Sequence, residues 1–548
     1  MIKGKIEKLI EEIVKKEVKL EHPARPEFGD YSTNVALENK IDPAKIIESL
    51  KAHPLFDKVE KAGPGFINFF LSPKVLQEEL VEIIKRGDNY GQLDIGQNKK
   101  VQVEFISANP TGPLTVANAR GGPYGDVLAN LLQKAGFKTE KAYYINDSGQ
   151  QILTLGHSIL KDEQAKYKGK YIDDLAKILR QAQGLNFNNP GEKDIFRIGQ
   201  AAARYIIKNL IQKTTDKLRI KYDEWIFESD LHQSGRVDKA LKYLTEKGLI
   251  EQKEGAQWFR SSKFGDRRDR VIVKKDGGKT YLAGDIALHR HKFEDKKFDK
   301  VINVWGADHH GDIPGLMAGV KALGHKGKLE IILLQFVTIL EKGDKKKMSK
   351  RAGSYVTMDE LLDKVGPDAV RFFFLQKSSD THLNFDLALA QEQSAKNPVY
   401  YVQYAHARIC SILRKATNLK GVFSDRLPKG RLLDHDLAKG EIVESRGQPF
   451  STGRVLEKLA HPAELNLIRQ LIKFPEIIEE TAGDYQVQRL PYYSLELANY
   501  FHKFYESCRV LDEKNKELSQ ARIGLIQATQ IVLKNTLKLM GISAPEKM

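Results

Sequence analysis

Two stretches of the chain carry residues whose types and spacing suit phosphate chemistry. The first is Val101 to Asn118, VQVEFISANPTGPLTVAN. Val101, Val103 and Phe105 alternate with Gln102 and Glu104, which predicts a strand with one apolar and one polar face. Two prolines and a glycine in Asn109-Pro110-Thr111-Gly112-Pro113 then forbid continuation as helix or ladder. Beyond Leu114, Val127, Leu128, Leu131 and Leu132 recur at helical spacing. A strand, a tight loop and a helix start together offer backbone N–H groups and a positive dipole end to an anion. An ordinary strand-to-helix turn has the same outline. The second stretch is Gly343 to Gly353, GDKKKMSKRAG. A lysine run between glycines commonly makes a solvated surface loop. Such a loop can also close over a triphosphate and neutralise charge building on departing pyrophosphate.

The elements around these stretches divide the chain into three parts. At 548 residues it is too long for one core. Residues 1–95 read as an α+β module: Ile6, Leu9, Ile10 and Ile13 form a helix stripe, Phe28 to Ala36 reads as turn, cap and helix, and Gly65 to Leu71 feeds an aromatic strand. In residues 96–394, Ala142 to Ile145 reads as a strand ending in the polar turn Asn146-Asp147-Ser148-Gly149-Gln150, and a long helical stretch follows to about Lys217. Arg270 to Val273 is a short strand, and Thr280 to Asp285 is placed at a strand end before a helix. Lys300 to Trp305 reads as a buried parallel strand that ends in Gly306-Ala307-Asp308-His309-His310, where open α/β sheets bind ligands. Glu330 to Val337 is a further buried strand. Residues 395–548 read as a helix bundle, with apolar stripes at Val399–Leu413, Leu465–Ile478 and Ile523–Leu539 and a surface loop at about 420–455. Gly121-Gly122-Pro123 sets a proline inside the expected helix, which either kinks there or restarts with Pro123 near its first turn.

Composition narrows the class. The chain is 41% hydrophobic and 29% charged, and has no apolar run long enough to span a bilayer. Its amino terminus leads into a Lys/Glu helix without a signal-peptide apolar region, so a cytoplasmic protein is expected. Cys410 and Cys508 lack metal-ligand spacing, and adjacent His309 and His310 make a poor zinc site. No dedicated metal site is expected. The net charge of +16 favours a polyanionic partner.

SANPTGPL followed by Thr115-Val116-Ala117-Asn118 resembles the active-site opening of arginyl-tRNA synthetases, a class I family in which the four residues usually read His-x-Gly-His. Both histidines and the glycine are replaced. Thr and Asn keep short, neutral hydrogen-bonding side chains at the same spacing, as tryptophanyl members of the class do. Lys347-Met348-Ser349-Lys350 matches the KMSK loop of that class in full, and Ala142 to Gln150 is similar to the family's YxNDxGxQ segment. FGDYSTNVA and GPGFINFFLS resemble the family's N-terminal domain, Asp368 to Leu375 its segment joining the catalytic and C-terminal domains, and the ending GISAPEKM its anticodon-binding domain.

The resemblance implies a doubly wound, Rossmann-like parallel-sheet catalytic domain at 96–394 with a helical insertion. An N-terminal α+β tRNA-elbow-binding domain at 1–95 and an all-α anticodon-binding domain at 395–548 flank it. It implies an ATP-dependent ligase that activates L-arginine and charges tRNA, with Mg2+ accompanying ATP and a monomeric chain. Thr115, Asn118, Lys347 and Lys350 are the implied catalytic residues. Pro110, Thr111, Gly112, Pro113, Leu114, Val116, Ala117, Gly306, Asp308, Met348 and Ser349 would surround ATP. Glu104, Ser107, Asn109, Tyr281, Asp285 and Asp308 would hold arginine, with His309 near the site, and Phe66 and Asn68 would meet a D-loop base of the tRNA. Read from spacing alone, Glu104 is a solvent-facing strand residue. Two other readings compete. The missing histidines, Ala117 and Pro123 suggest a non-catalytic tRNA-binding relative; a small-molecule nucleotidyl transferase would leave the end domains unexplained.

Overall fold

The computed structural model describes residues 1–341, 344–345, 356–418 and 455–548. Lys347, Met348, Ser349 and Lys350, and nearly all of the expected loop at about 420–455, lie outside the described residues.

The N-terminal part pairs helix Ile2–Val14, which buries Ile2, Ile6 and Ile10, with an antiparallel sheet. That sheet contains β1 (Tyr31–Thr33), β2 (Phe56–Ala62) and β3 (Phe66–Leu71) in the order β1-β3-β2. Of the predicted turn, cap and helix across Phe28–Ala36, the helix starts at Val35 after Asn34, and Tyr31–Thr33 forms a strand instead, because Tyr31 and Thr33 alternate into the core. Ile67, Phe69 and Leu71 point inward from β3, whereas Phe66 is exposed.

The central part opens with β4 (Lys100–Phe105), β5 (Lys138–Ile145) and β6 (Glu224–Phe227). Between β5 and β6 run helices Gly149–Leu160, Lys170–Arg180 and Glu192–Ile206, the expected helical insertion. A small antiparallel sheet of β7 (Ile250–Lys253), β8 (Ala256–Phe259) and β9 (Arg270–Val273) follows. The chain then returns through β10 (Lys300–Gly306) and β11 (Leu329–Leu334). All neighbours in the five-stranded order β11-β10-β4-β5-β6 are parallel. The order reverses between β4 and β10, which creates a crevice at their carboxyl ends.

β4 differs from the predicted half-exposed strand. Gln102 and Glu104 are buried along with Val101, Val103 and Phe105, because both faces of a parallel sheet are covered. Gln102 Nε2 donates to Glu140 Oε1 at 2.7 Å, while Gln102 Oε1 has no partner among the described residues. Helix Gly121–Lys134 restarts after the short helix Val116–Ala119, so Pro123 sits harmlessly in its first turn. A Cβ on Gly125 would fall 2.2 Å from the Phe105 ring, so glycine lets this helix lie directly on β4.

β12 (Val337–Glu341) pairs with β13 (Asp344–Lys345) and with β14 (Leu383–Asp386), at the edge of the crevice. Among the described residues, five C-terminal helices follow: Pro398–Asn418, Pro462–Ile472, Phe474–Asp484, Arg489–Ser507 and Lys516–Leu539. The expected stripe Leu465–Ile478 is divided between two of them at Lys473, two residues before Pro475. Fully buried Arg371 fastens the bundle to the sheet domain: it pairs with Asp126 and donates to Met540 O at 2.6 Å and Leu218 O at 2.8 Å. The N-terminal part docks on the same bundle through Tyr31 to Glu476 at 2.6 Å and Arg469 to Asp30 at 2.7 Å.

Candidate active site

The chain leaves β4 through two successive residues in the left-handed region, Ile106 at φ 66° and Ser107 at φ 42°. A β-branched residue there costs roughly 1–3 kcal/mol, a strain that persists only where the surroundings enforce it. The turn brings Ser107 Oγ to accept the Tyr144 N–H at 3.1 Å and to approach Glu104 Oε1 at 3.4 Å. Past it, a cleft of about 1290 Å³ opens at the carboxyl ends of β4 and β10.

One end of the cleft is acidic. Glu104, predicted from spacing to face solvent, is buried and its Oε2 meets Lys292 Nζ at 2.6 Å. Tyr281 and Asp285, predicted at a strand end, instead occupy the first two turns of helix Tyr281–Arg290. Their four-residue separation puts both on one helix face toward the cleft. Asp285 forms no side-chain hydrogen bond among the described residues, and burial, then Glu104, Glu228 and Asp312, push its carboxyl up to about 8. Glu228 is buried beside it, with Oε2 unpartnered among the described residues, and burial raises its carboxyl too. His289, one turn on, is held near 3 by burial and by Lys292. It is therefore neutral: with its proton on Nδ1 it donates to Asp285 O at 2.7 Å, while Nε2 accepts from Asn303 at 3.0 Å. The pocket thus presents unmet acceptors, which suit a ligand rich in donors.

The other end holds a helix start. Thr115 caps helix Val116–Ala119, its Oγ accepting the Asn118 N–H at 3.3 Å and donating to Asn118 Oδ1 at 2.7 Å. The helix starts at Thr280 and Asp312 open on the same cleft near Asp285. Aligned N–H groups at such starts favour anions. The two flanks of the lysine-rich loop are anchored here. Val116 donates to Val356 O at 3.2 Å and Met358 to Leu114 O at 2.8 Å, just after the loop. Just before it, buried Arg120 grips Gln335 O and donates to Thr381 O at 2.9 Å.

Glu104, Ser107, Asn109, Thr111, Gly112, Pro113, Leu114, Thr115, Ala117, Asn118, Tyr281, Asp285, Gly306, Asp308 and His309 all line this cleft. Pro110 and Val116 are buried behind it: Val116 faces the core from the inner side of its helix turn. Phe66 and Asn68 stand apart on β3, in register with Ala62 and Glu60 of β2. Asn68 is almost fully buried rather than presented at the surface, because β1 and β2 flank it on both sides. Sequence reasoning missed Lys292 and Glu228, as well as Tyr144, Trp305 and Phe336, which also line the cleft. Only the exposure of Phe336, at 53%, hints at a ligand, and exposure is not legible in sequence. Among the described residues no cluster of three potential metal ligands occurs.

The parallel sheet with its crevice at the switch point is that of a class I aminoacyl-tRNA synthetase catalytic domain, as residues 79–410 match the family described as tRNA synthetases class I (R), catalytic domain. Residues 1–71 match the arginyl tRNA synthetase N terminal domain, and residues 402–548 the DALR anticodon binding domain. Arginine–tRNA ligase of Bacillus subtilis is 42% identical over 97% of this chain and 94% of its own length. That of Carboxydothermus hydrogenoformans is 43% identical over 96% and 94%. A structure titled putative arginyl tRNA synthetase from Campylobacter jejuni superposes with a TM-score of 0.73 at 32% identity, covering 87% of this chain and all of its own. The Thermus thermophilus arginyl-tRNA synthetase, at 24% identity, shares the fold over the full length of both chains with a TM-score of 0.76. The chain belongs to the arginyl-tRNA synthetase family.

Proposed function

We propose that this cleft activates L-arginine with ATP and passes it to the 3' end of an arginine tRNA; the chain is an arginine–tRNA ligase. The observation that carries the reading is the acidic end of the cleft, where Asp285, with no side-chain hydrogen bond among the described residues, stands beside buried Glu104 and Glu228, while Thr115 caps a helix start at the other end. A planar, five-donor guanidinium matches acceptors of that kind. The non-catalytic alternative loses its support, since Pro123 neither kinks nor breaks the helix and the cleft is intact.

Arginine would enter with its guanidinium between Glu104 and Asp285, its aliphatic stem along Tyr281, and its α-amino group near Asp308, while Ser107 and Asn109 hold its backbone end. MgATP would lie along Thr111 to Leu114, Ala117 and Gly306, its phosphates toward Thr115 and Asn118. The arginine carboxylate attacks the α-phosphorus, and the bond to the bridging oxygen of pyrophosphate breaks. The ribose hydroxyl of the tRNA terminus then attacks the acyl carbon, and AMP departs. Both steps ask for positioning and charge stabilisation more than covalent help. With Thr115 and Asn118 neutral, Lys347 and Lys350 supply the cationic charge on the leaving pyrophosphate, aided by Met348 and Ser349 in setting the loop over the nucleotide.

Phe66 on the outer N-terminal sheet would stack a D-loop base, with Asn68 behind it. We assign residues 1–95 to the tRNA elbow, 96–394 to catalysis and 395–548 to the anticodon, in a monomeric cytoplasmic protein. Charging of an arginine tRNA transcript with labelled arginine tests the reading. Acid-precipitable label that depends on ATP and on that tRNA supports it, and label with lysine instead would refute it.

A further inference from the structure

A lysine side chain with no exposed surface is rare and costly unless it is paired. Lys292 is fully buried, and among the described residues its ammonium makes one hydrogen bond, to Glu104 Oε2 at 2.6 Å. It lies where helix Tyr281–Arg290 loosens into a π-helical turn, His291–Asp295, a distortion that recurs at functional sites. Counting from Tyr281, the residues Asp285, His289 and Lys292 follow at four, eight and eleven positions, so one helix side carries the stem contact, a carboxylate, a neutral imidazole and an ammonium.

The charges around Glu104 make the ammonium necessary. Asp285 faces it from that helix, Tyr144 from β5 and Tyr222 from before β6, while Glu228 and Asp312 act on Asp285 and His289 stands beside Lys292. His289 is neutral and the tyrosines hold their protons, so Lys292 is the cation that Glu104 and Asp285 meet among the described residues. Lys292 pulls the Asp285 carboxyl down against burial and its acidic neighbours, so without that cation Asp285 would keep its proton to higher pH and attract a guanidinium less. The geometry also leaves an oxygen free. Lys292 takes Oε2, whereas Oε1 has only the long 3.4 Å approach of Ser107.

We propose that Lys292 is a positioning residue for arginine recognition: its ammonium turns Glu104 so that Oε1, together with the Asp285 carboxylate, meets the substrate guanidinium. The proposal rests on the arginine reading of this cleft. Arginine-dependent ATP–pyrophosphate exchange, run with tRNA from pH 6 to 9.5, tests it in the parent chain, Lys292→Met and Lys292→Arg. In Lys292→Met the arginine KM rises about tenfold or more at pH 7, the ATP KM stays unchanged, and the KM–pH profile moves alkaline by about one unit or more. Lys292→Arg, which keeps a cation, retains the parent profile. A merely structural role would lower stability without moving that profile, so a parent-like profile in Lys292→Met overturns the proposal, as does an equal alkaline shift in both variants. Should Lys292→Met fail to fold, Lys292→Gln, which keeps hydrogen-bond donors without the charge, decides: an alkaline shift absent from Lys292→Arg supports the proposal and a parent-like profile overturns it. A parent chain without arginine-dependent exchange would instead refute the functional reading, and the proposal with it.

Discussion

Replacing Asp285 by asparagine should stabilise the protein while destroying its affinity for arginine. The carboxyl is moved from its ordinary 3.8 to about 8, by burial first and by neighbouring Glu104 and Glu228 next. At about 1.4 kcal/mol per tenfold change in proton affinity, that corresponds to at most about 5–6 kcal/mol. Water in the open cleft screens part of it, leaving about 2–3 kcal/mol. The sign follows from proton binding. Below pH 4 the group is protonated folded and unfolded, and it costs nothing. Between about 4 and 8 the unfolded chain ionises while the folded one stays protonated, so stability falls as pH rises; above 8 the loss is constant. Asp285→Asn should therefore match the parent in thermal melts at pH 4 and unfold several degrees higher at pH 9. In the same variant the arginine KM should rise at least about a hundredfold, since a buried charge partner is removed. In the parent, arginine binding itself requires the ionised carboxylate, so its KM should fall as pH rises from 6 to 9. An Asp285→Asn chain that melts no higher than the parent at pH 9, or a parent KM flat across that range, would refute the reasoning.

Four further outcomes are expected. Glu104→Gln leaves Lys292 buried without its counter-ion, so urea unfolding should show a loss of about 3–5 kcal/mol along with failed arginine-dependent exchange. Arg371→Met abandons Asp126 and the carbonyls of Met540 and Leu218; it should cost about as much and expose the carboxyl-terminal segment to limited proteolysis. Lys350→Ala should lower kcat for pyrophosphate exchange by about a hundredfold or more with little change in arginine KM. Phe66→Ala should raise the tRNA KM through lost base stacking, about 1–3 kcal/mol, while leaving ATP and arginine KM values as they are.

The order of elements was largely legible because long apolar periods survive burial: Val127 to Leu132, Lys300 to Trp305 and the C-terminal stripes at Val399–Leu413 and Ile523–Leu539 fall where the pattern puts them. The buried polar positions were not. Gln102 and Glu104 alternate with valines as though one face were wet, yet the sheet is covered on both sides and their partners come from Glu140 and Lys292, distant in sequence. Tyr281 and Asp285 read as a strand end because Thr280 to Gly284 lacks an amphipathic period; the helix there is buried on several sides. β1 and β2 were missed because three and seven residues of mixed polarity carry little period of their own and are held by β3. The family's motifs located the cleft, but the cation that balances it, Lys292, has no signal beyond one lysine among many.

The most direct test of the account is ATP–pyrophosphate exchange by the parent chain with arginine, with and without arginine tRNA, and with lysine as the control amino acid. Exchange that appears with arginine and not with lysine, at least in the presence of tRNA, is the predicted result. Folded protein that binds the tRNA yet exchanges no pyrophosphate with arginine would contradict it.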